Sequence, residues 1–163
     1  MNARKYPSQS EIKTEWKYRN GHLWWREKKQ GRQFYSPAGT KNGNKIYKIV
    51  RYKGTGWAVH RLIYIYHYGE IKRTMCVDHI DQNKYNNDIK NLRLVTHAEN
   101  LWNSCKKKGY WKNGNKFTSE IYYNKNRKII GHFKTKKEAQ KAHDEAKAKY
   151  HIIKDRKPVT TTI

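Results

Sequence analysis

The stretch "VDHIDQNKYNNDIKNLRLVTHAEN", from Val77 to Asn100, combines an Asp-His pair, a polar run and a predicted helix start. The preceding "TMCVDH" and the internal "NLRLV" have the β-branched and alternating apolar residues of two short strands. Thr96 followed three residues later by Glu99 predicts a capping box, which makes Asn100 the fourth helical residue. The stretch therefore predicts a unit of strand, loop, strand and helix.

Pairing of these two strands would bring the end of the first close to the helix that follows the second. We expect Asn100 to face Asp78, and their amide and carboxylate oxygens suit a single Mg²⁺ or Mn²⁺ ion. Strand alternation places His79 on the other side from Asp78, where a near-neutral imidazole is fit to take a proton from water. Together these residues predict metal-assisted phosphodiester hydrolysis.

Two further residues of the second strand are candidates for the same site. Asn91 is predicted to brace the loop beside His79 through its amide. Arg93, on the same strand face, is a candidate contact for the scissile phosphate. Asn86 and Asn87 are interpreted as loop-forming residues.

Simpler interpretations of these residues stay open. Asp78 would then cap the polar loop, and His79 would be a hydrogen-bonded turn histidine. Asn100 would be a surface residue of its helix. His97 is an alternative metal ligand, although it is expected on a different helix face.

The charge of the chain predicts a polyanionic partner. Its 163 residues carry 37 Lys and Arg against 13 Asp and Glu, a formal net charge of +24. Residues 1–55 hold 14 basic and 3 acidic side chains, residues 56–105 hold 6 and 5, and residues 106–163 hold 17 and 5. Nucleic acid is the first interpretation, with a basic structural or membrane-surface protein as the alternative. The polar start and the lack of a long apolar run predict an intracellular protein with no membrane partner.

The N-terminal part predicts a small sheet followed by a helix. Residues 1–15 are expected to be a loosely ordered arm, and residues 16–70 a basic module. Its predicted strands are "HLWW", "RQFY" and "KIYKIVRY", followed by the helical "AVHRLIYIYHYGE" with Gly69 as its stop. Cys76 and Cys105 lack CxxC spacing and are expected to be small buried apolar residues.

The C-terminal part predicts a three-stranded antiparallel sheet and a helix. The turns "NGN" and "NKNR" separate "YWK", "KFTSEIYY" and "KIIGHF". Thr135 is the expected N-cap of a helix with a stripe formed by Ala139, Ala142, Ala146 and Tyr150. In the middle strand, alternation directs Phe117, Ser119 and Ile121 toward this helix, and the intervening residues outward.

The central segment resembles the HNH (ββα-metal) nuclease family, in its homing-endonuclease branch. The matching residues are "VDHID", Asn86–Asn87, "NLR" and "AENLWN", and the twelve- and nine-residue spacings from His79 to Asn91 and from Asn91 to Asn100 agree. The resemblance implies a general base at His79, a structural Asn91, and metal ligands at Asp78 and Asn100. These Asp and Asn ligands, in place of the His of many members, favour Mg²⁺ or Mn²⁺ over zinc.

Residues 108–150 resemble an AP2-type DNA-binding domain, in which a three-stranded sheet contacts the major groove. The resemblance departs from the plant pattern in a shortened first strand and in Ile129 at a position often held by Trp. Residues before the nuclease segment look like the sheet-plus-"HRL" module of phage homing endonucleases. The candidate DNA contacts are Arg93, Lys108, Trp111, Lys112, Lys116, Thr118, Glu120, Tyr122 and Arg127.

We therefore predict an α+β protein, modular and elongated, that acts as a site-specific, metal-dependent DNA endonuclease of the homing type. Its expected parts are an arm (1–15), a basic module (16–70), the nuclease motif (71–105), an AP2-like domain (106–154) and a tail (155–163). It would bind double-stranded DNA as a monomer and leave 5′-phosphate and 3′-hydroxyl ends, with nicking as one outcome. The alternatives are a DNA-binding protein with an unused nuclease fold and an RNA-binding protein.

Overall fold

The computed structural model describes residues 5–27, 36–41, 46–103, 108–124 and 126–156. The fold is mixed α+β with small antiparallel sheets, as predicted. Contacts divide the chain into two compact units, residues 1–97 with 155–163, and residues 98–154. The domain boundaries expected at 15, 70, 105 and 154 stay predictions.

The chain begins with a helix where the sequence led us to expect a loose arm. Helix α1 spans Gln9–Glu15, and Ser8 and Glu11 form a capping box at its start. Ile12 is completely buried. The prediction of a loosely ordered arm is wrong for residues 9–15, because a capped turn places one apolar side chain in the core.

Two small antiparallel sheets follow in the first unit. Strands β1 (Trp16–Arg19) and β2 (His22–Trp25) form a hairpin. Strands β3 (Thr40–Lys41), β4 (Lys48–Tyr52) and β5 (Thr55–Ala58) form a three-stranded sheet in that order. The predicted strands "HLWW" and, within "KIYKIVRY", Lys48–Tyr52 are confirmed, whereas "RQFY" lies outside the described residues.

Helix α2, Val59–Tyr68, packs on β2, β4 and β5 and ends at Gly69, as predicted. Gly69 has a φ of 80°, a conformation that glycine adopts without the steric cost of a Cβ atom. Leu62, Ile63 and Tyr64 are completely buried. The helix therefore supplies much of the core of the first unit.

The predicted ββα arrangement is present. Strands β6 (Met75–His79) and β7 (Leu92–Thr96) pair antiparallel, with a short 3-10 helix at Ile89–Asn91 between them. Helix α3, His97–Trp102, follows directly, so Asn100 is its fourth residue as expected. Val77, Leu92 and Leu94 join the same core as α1 and α2, so the two nuclease strands pack with the N-terminal module.

The second unit is a three-stranded antiparallel sheet with one long helix, as predicted. Strands β8 (Tyr110–Asn113), β9 (Lys116–Tyr123) and β10 (Asn126–Phe133) lie in the order β10-β9-β8. Helix α4, Lys136–Tyr150, begins with a capping box between Thr135 and Glu138 and packs on this sheet through Ala139 and Ala146. Within the described residues, no helix is long and apolar enough to cross a membrane.

Candidate active site

His79 lies at the end of β6 with its side chain completely covered. Its Nε2 atom is 2.9 Å from Oδ1 of Asn87, which is itself 3% exposed. An amide oxygen is only an acceptor, so Nε2 carries the proton and Nδ1 keeps its lone pair. The hydrogen bond therefore selects the tautomer in which Nδ1 is the basic nitrogen.

Aromatic side chains surround this imidazole. The ring centroid of His60 is 5.1 Å from that of His79, and the Tyr47 ring lies 4.6 Å from His60 and 6.1 Å from His79. Burial lowers the pKa of His79, partly offset by the hydrogen bond to Asn87. Burial, with a smaller effect of His79, lowers the pKa of His60 to about 3. Both imidazoles are therefore neutral at physiological pH.

Asn91 ties the two ends of the loop that joins β6 to the 3-10 helix. Its Nδ2 donates to Asp81 Oδ1 at 2.9 Å and to the Asn86 carbonyl oxygen at 2.8 Å, and its Oδ1 accepts from Asp81 N at 3.1 Å. Although desolvation opposes the shift, hydrogen bonds from Asn86 and Asn91 lower the pKa of Asp81. This geometry is that of a bracing side chain; its contribution to catalysis stays a prediction.

The β1–β2 hairpin supports the same loop from outside. The hydroxyl oxygen of Tyr18 accepts from Ile89 N at 3.1 Å and from Gly21 N at 3.2 Å. Gly21 has a φ of 73°, and a Cβ atom there would lie 3.1 Å from Asp88 N and 3.3 Å from the carbonyl carbon of Asn87. The hairpin turn thus packs directly on the backbone that positions the His79 partner.

Asp78 forms a buried ion pair. Its Oδ2 accepts from Arg93 Nη2 at 2.9 Å and from Arg93 Nε at 3.0 Å, and the side chains are 1% and 13% exposed. The two residues are direct neighbours in the β6–β7 register. Arg93 therefore compensates the Asp78 carboxylate, and its predicted phosphate contact stays a prediction.

The predicted metal ligands lie on separate parts of the fold. Asp78 belongs to the first unit, and Asn100, half-buried in α3, belongs to the second. Among the described residues, no group of three or more His, Cys, Asp or Glu is arranged to hold a metal ion. One buried carboxylate and one amide are oxygen donors that fit a weakly held Mg²⁺ or Mn²⁺ completed by water and phosphate. That the two share one cation stays a prediction.

Cys76 and His97 lie next to each other in the first unit. The Cys76 Sγ atom is 3.1 Å from Nδ1 of His97. The expectation that Cys76 is buried is wrong, because the thiol lies at a partly exposed edge of β6; Cys105 lies outside the described residues. The role of His97 as an alternative ligand stays a prediction.

Two residues beside His79 were missed by the sequence interpretation. Asn87, interpreted as a loop former, binds the imidazole directly. Lys84 is half-buried, its Nζ lies 5.8 Å from the Tyr47 ring centroid, and its charge helps to lower the pKa of both His79 and His60. Within the described part of the chain Lys84 forms no ion pair, so its ammonium is available to an anion.

The outer face of the second unit carries an aromatic and charged cluster. The Arg127 guanidinium lies 4.8 Å from the Trp111 ring centroid and pairs with Glu120. Tyr122, directly opposite Arg127 in the register, is 60% exposed. Lys108 and Lys116 are exposed as well. Lys108, Lys116 and Tyr122 therefore have accessible side chains. Arg127, Trp111 and Glu120 form one surface cluster.

Two predicted contacts differ from expectation. Thr118 is completely buried, because its hydroxyl lies 2.9 Å from His132 Nδ1 and accepts from Asn113 Nδ2 at 3.4 Å. Strand alternation correctly predicted the sheet face of Thr118. Residues of the neighbouring strands, however, cover its side chain. Lys112 lies opposite Phe117 in the β8–β9 register, so its side chain is on the helix side of the sheet. Trp111 is on the other side.

Comparison with known proteins shows what the central segment is similar to. Residues 58–101, from the end of β5 into α3, match the family model of HNH endonucleases. The chain is also 38% identical over 84 residues to YosQ of Bacillus subtilis (strain 168), a protein named for the HNH homing endonucleases and for the SPbeta prophage from which it derives. That match covers 48% of this chain and 44% of the relative. No solved structure matches the chain significantly. Both similarities support the HNH family and a nuclease role.

Proposed function

We propose that this protein is a site-specific, divalent-metal-dependent endonuclease that hydrolyses phosphodiester bonds of double-stranded DNA. The observation that carries the proposal is the buried His79 whose Nε2 is held by Asn87, inside the segment that matches HNH endonucleases. Burial favours the neutral imidazole, and the hydrogen bond to Asn87 leaves Nδ1 as the basic nitrogen, as a general base requires.

In the proposed reaction, His79 Nδ1 removes a proton from a water molecule while the water oxygen bonds to phosphorus. The bond from phosphorus to the 3′ oxygen then breaks, which leaves a 5′-phosphate and, after protonation, a 3′-hydroxyl. Asn87 keeps the proton on Nε2, and Asn91 holds the loop that carries Asn87. Because His79 is fully covered, the proposal requires that DNA binding admit the attacking water to Nδ1.

Asp78 and Asn100 are the proposed ligands of one Mg²⁺ or Mn²⁺ ion. When bound, this cation would neutralise charge on the phosphate and on the leaving oxygen. Arg93 holds the Asp78 carboxylate in place through two hydrogen bonds. Lys84, which has no described ion-pair partner, is a proposed contact for a phosphate oxygen beside His79.

The second unit is proposed to hold the DNA. Its outer sheet face presents Arg127, Trp111 and the exposed Tyr122, a combination of cation and aromatic rings suited to sugar, phosphate and base edges. The formal charge of +24 supports a strong electrostatic contribution to binding. With one predicted metal site, the protein is proposed to act as a monomer that cuts one strand at a time.

A plasmid library with randomised inserts tests this function. Incubation with Mg²⁺ or Mn²⁺ should produce nicked or linear molecules whose ends, after sequencing, reveal a common target. EDTA should abolish the products. Binding of the library without any metal-dependent strand break would instead identify a non-catalytic DNA-binding protein, and a preference for RNA over DNA would contradict the proposal.

A further inference from the structure

A cationic cavity lies in the first unit, on a different set of residues from those around His79. Its volume is about 610 Å³, and it is bounded by the segment before α1, by one side of α2 and by the loop after Gly69. Its charged lining residues are Lys5, Arg61, Glu70 and Arg73, so three cations face one carboxylate. The cavity is therefore large enough for a ligand and attractive to an anion.

Arg61 is the residue that indicates which anion the cavity takes. Its guanidinium carbon lies 4.8 Å from the ring centroid of Tyr6, and Tyr6 packs in turn against Trp57 at 4.7 Å. This contact places the guanidinium over the face of the Tyr6 ring. Arg61 Nε is buried without a hydrogen-bond partner, and within the described part of the chain the guanidinium donates no hydrogen bond. A positioned, unsatisfied guanidinium matches the oxygens of a phosphate.

The remaining lining suits the sugar attached to that phosphate. Ile65 and Ile71 supply apolar walls beside the charged groups. Helix α2 also links the cavity to the candidate site, because Arg61 directly follows His60, whose ring centroid lies 5.1 Å from that of His79. A DNA strand at the predicted active site would thus have a further backbone unit within reach of this cavity.

We propose that the Arg61 cavity binds a sugar-phosphate unit of the DNA backbone other than the one that is cut. The choice of DNA as the source of the phosphate depends on the proposed nuclease function, whereas phosphate recognition by Arg61 does not. A site of this kind would fix the position of the strand relative to Asp78 and His79 without contacting a base.

Binding measured in EDTA tests this site without any cleavage. The Nε–Hε resonance of Arg61, assigned by its loss in Arg61→Gln, should shift on titration with duplex DNA and with the dinucleotide d(TpT), and should not respond to thymidine. A shift with inorganic phosphate but not with d(TpT) or DNA would show a free-phosphate site and overturn the proposal. An unchanged resonance in every titration would overturn it as well.

The salt dependence of DNA binding gives a second test. Loss of one phosphate contact in Arg61→Gln should reduce the slope of log K against log salt by about 0.9. Lys72→Gln removes the same charge from an exposed residue outside the cavity and should change the slope less. Equal effects of the two variants would contradict a specific site. Because neither test needs strand cleavage, failure of the nuclease function would leave the phosphate site standing, and the reverse also holds.

Discussion

Asn87 determines which nitrogen of His79 is basic, so we expect its removal to impair catalysis. In Asn87→Ala, Nε2 loses its acceptor and the cleavage rate should fall about 10- to 100-fold, as for other side chains that orient a reacting group. Asn87→Asp keeps an acceptor oxygen and should recover part of the rate. Single-turnover cleavage measures both variants. Asn83→Ala, in the same loop, should cleave like the parent; equal loss in all three variants would contradict the assignment.

The Asp78–Arg93 ion pair is expected to stabilise the folded protein. Arg93→Gln leaves a buried carboxylate without its guanidinium partner and should destabilise the protein by about 3–5 kcal/mol. The double variant Asp78→Asn with Arg93→Gln removes both charges and should recover most of that loss. Urea unfolding measures the free energies. If Arg93→Gln unfolds at the same urea concentration as the parent, Arg93 does not compensate Asp78.

The β1–β2 hairpin connects local chain geometry to the candidate site. Gly21 and Gly54 both have positive φ, 73° and 72°, so an alanine at either position should cost roughly 1–2 kcal/mol. Space around Gly54 is open, whereas a Cβ atom at Gly21 would press on Asn87 and Asp88. We therefore expect Gly21→Ala to lose more stability than Gly54→Ala, and only Gly21→Ala to lower the rate of the folded enzyme.

Thermal unfolding and single-turnover cleavage, measured on both variants, separate these effects. The two alanines share the backbone penalty, so the difference between them reports contact with the loop. Equal stability and equal cleavage rates would mean that the hairpin does not support the position of Asn87.

Secondary structure was predictable from sequence wherever a local rule decides it. Gly69 ends α2, Thr135 caps α4, and the alternation in β7 places Leu92 and Leu94 in the core. Helix α1 was missed although Ser8 and Glu11 carry the capping pattern, because the surrounding polar residues suggested an arm. Local patterns predict elements well when an apolar stripe accompanies the cap.

Contacts between distant residues were not predictable in the same way. The bonds from His79 to Asn87 and from Ile89 to Tyr18 depend on how a loop folds back and on packing across 71 residues. Thr118 shows the same limit, since alternation sets the face of a side chain while neighbouring strands set its burial. The roles of Asp78, His79, Asn91 and Asn100 in catalysis stay predictions.

At the scale of the whole molecule, buried histidines predict a loss of stability in mild acid. The pKa of His60 is lowered from its ordinary 6.5 to about 3, so between these values the unfolded chain binds a proton that the folded chain does not. The stability that the protein gains from keeping His60 neutral is therefore fully present above pH 6.5. It is lost progressively as the pH falls toward 3. Burial lowers the pKa of His79 as well, so this residue adds to the same loss of stability.

Urea unfolding at a series of pH values from 7.5 to 4.5 measures this effect. The free energy of unfolding of the parent should fall across the range, and His60→Gln should reduce that slope. A parent whose stability is constant over this range, or a variant with an unchanged slope, would show that His60 is not held neutral by burial.

The central claim, that His79 is the base of a DNA endonuclease, is tested most directly by single-turnover cleavage of the recovered target duplex with Mg²⁺ or Mn²⁺. The parent and His22→Ala, altered in a histidine of the N-terminal hairpin, should cut at similar rates. His79→Ala should bind the duplex with unchanged affinity and cut about 10² to 10⁴ times more slowly. Cleavage by His79→Ala at the parent rate would contradict the claim.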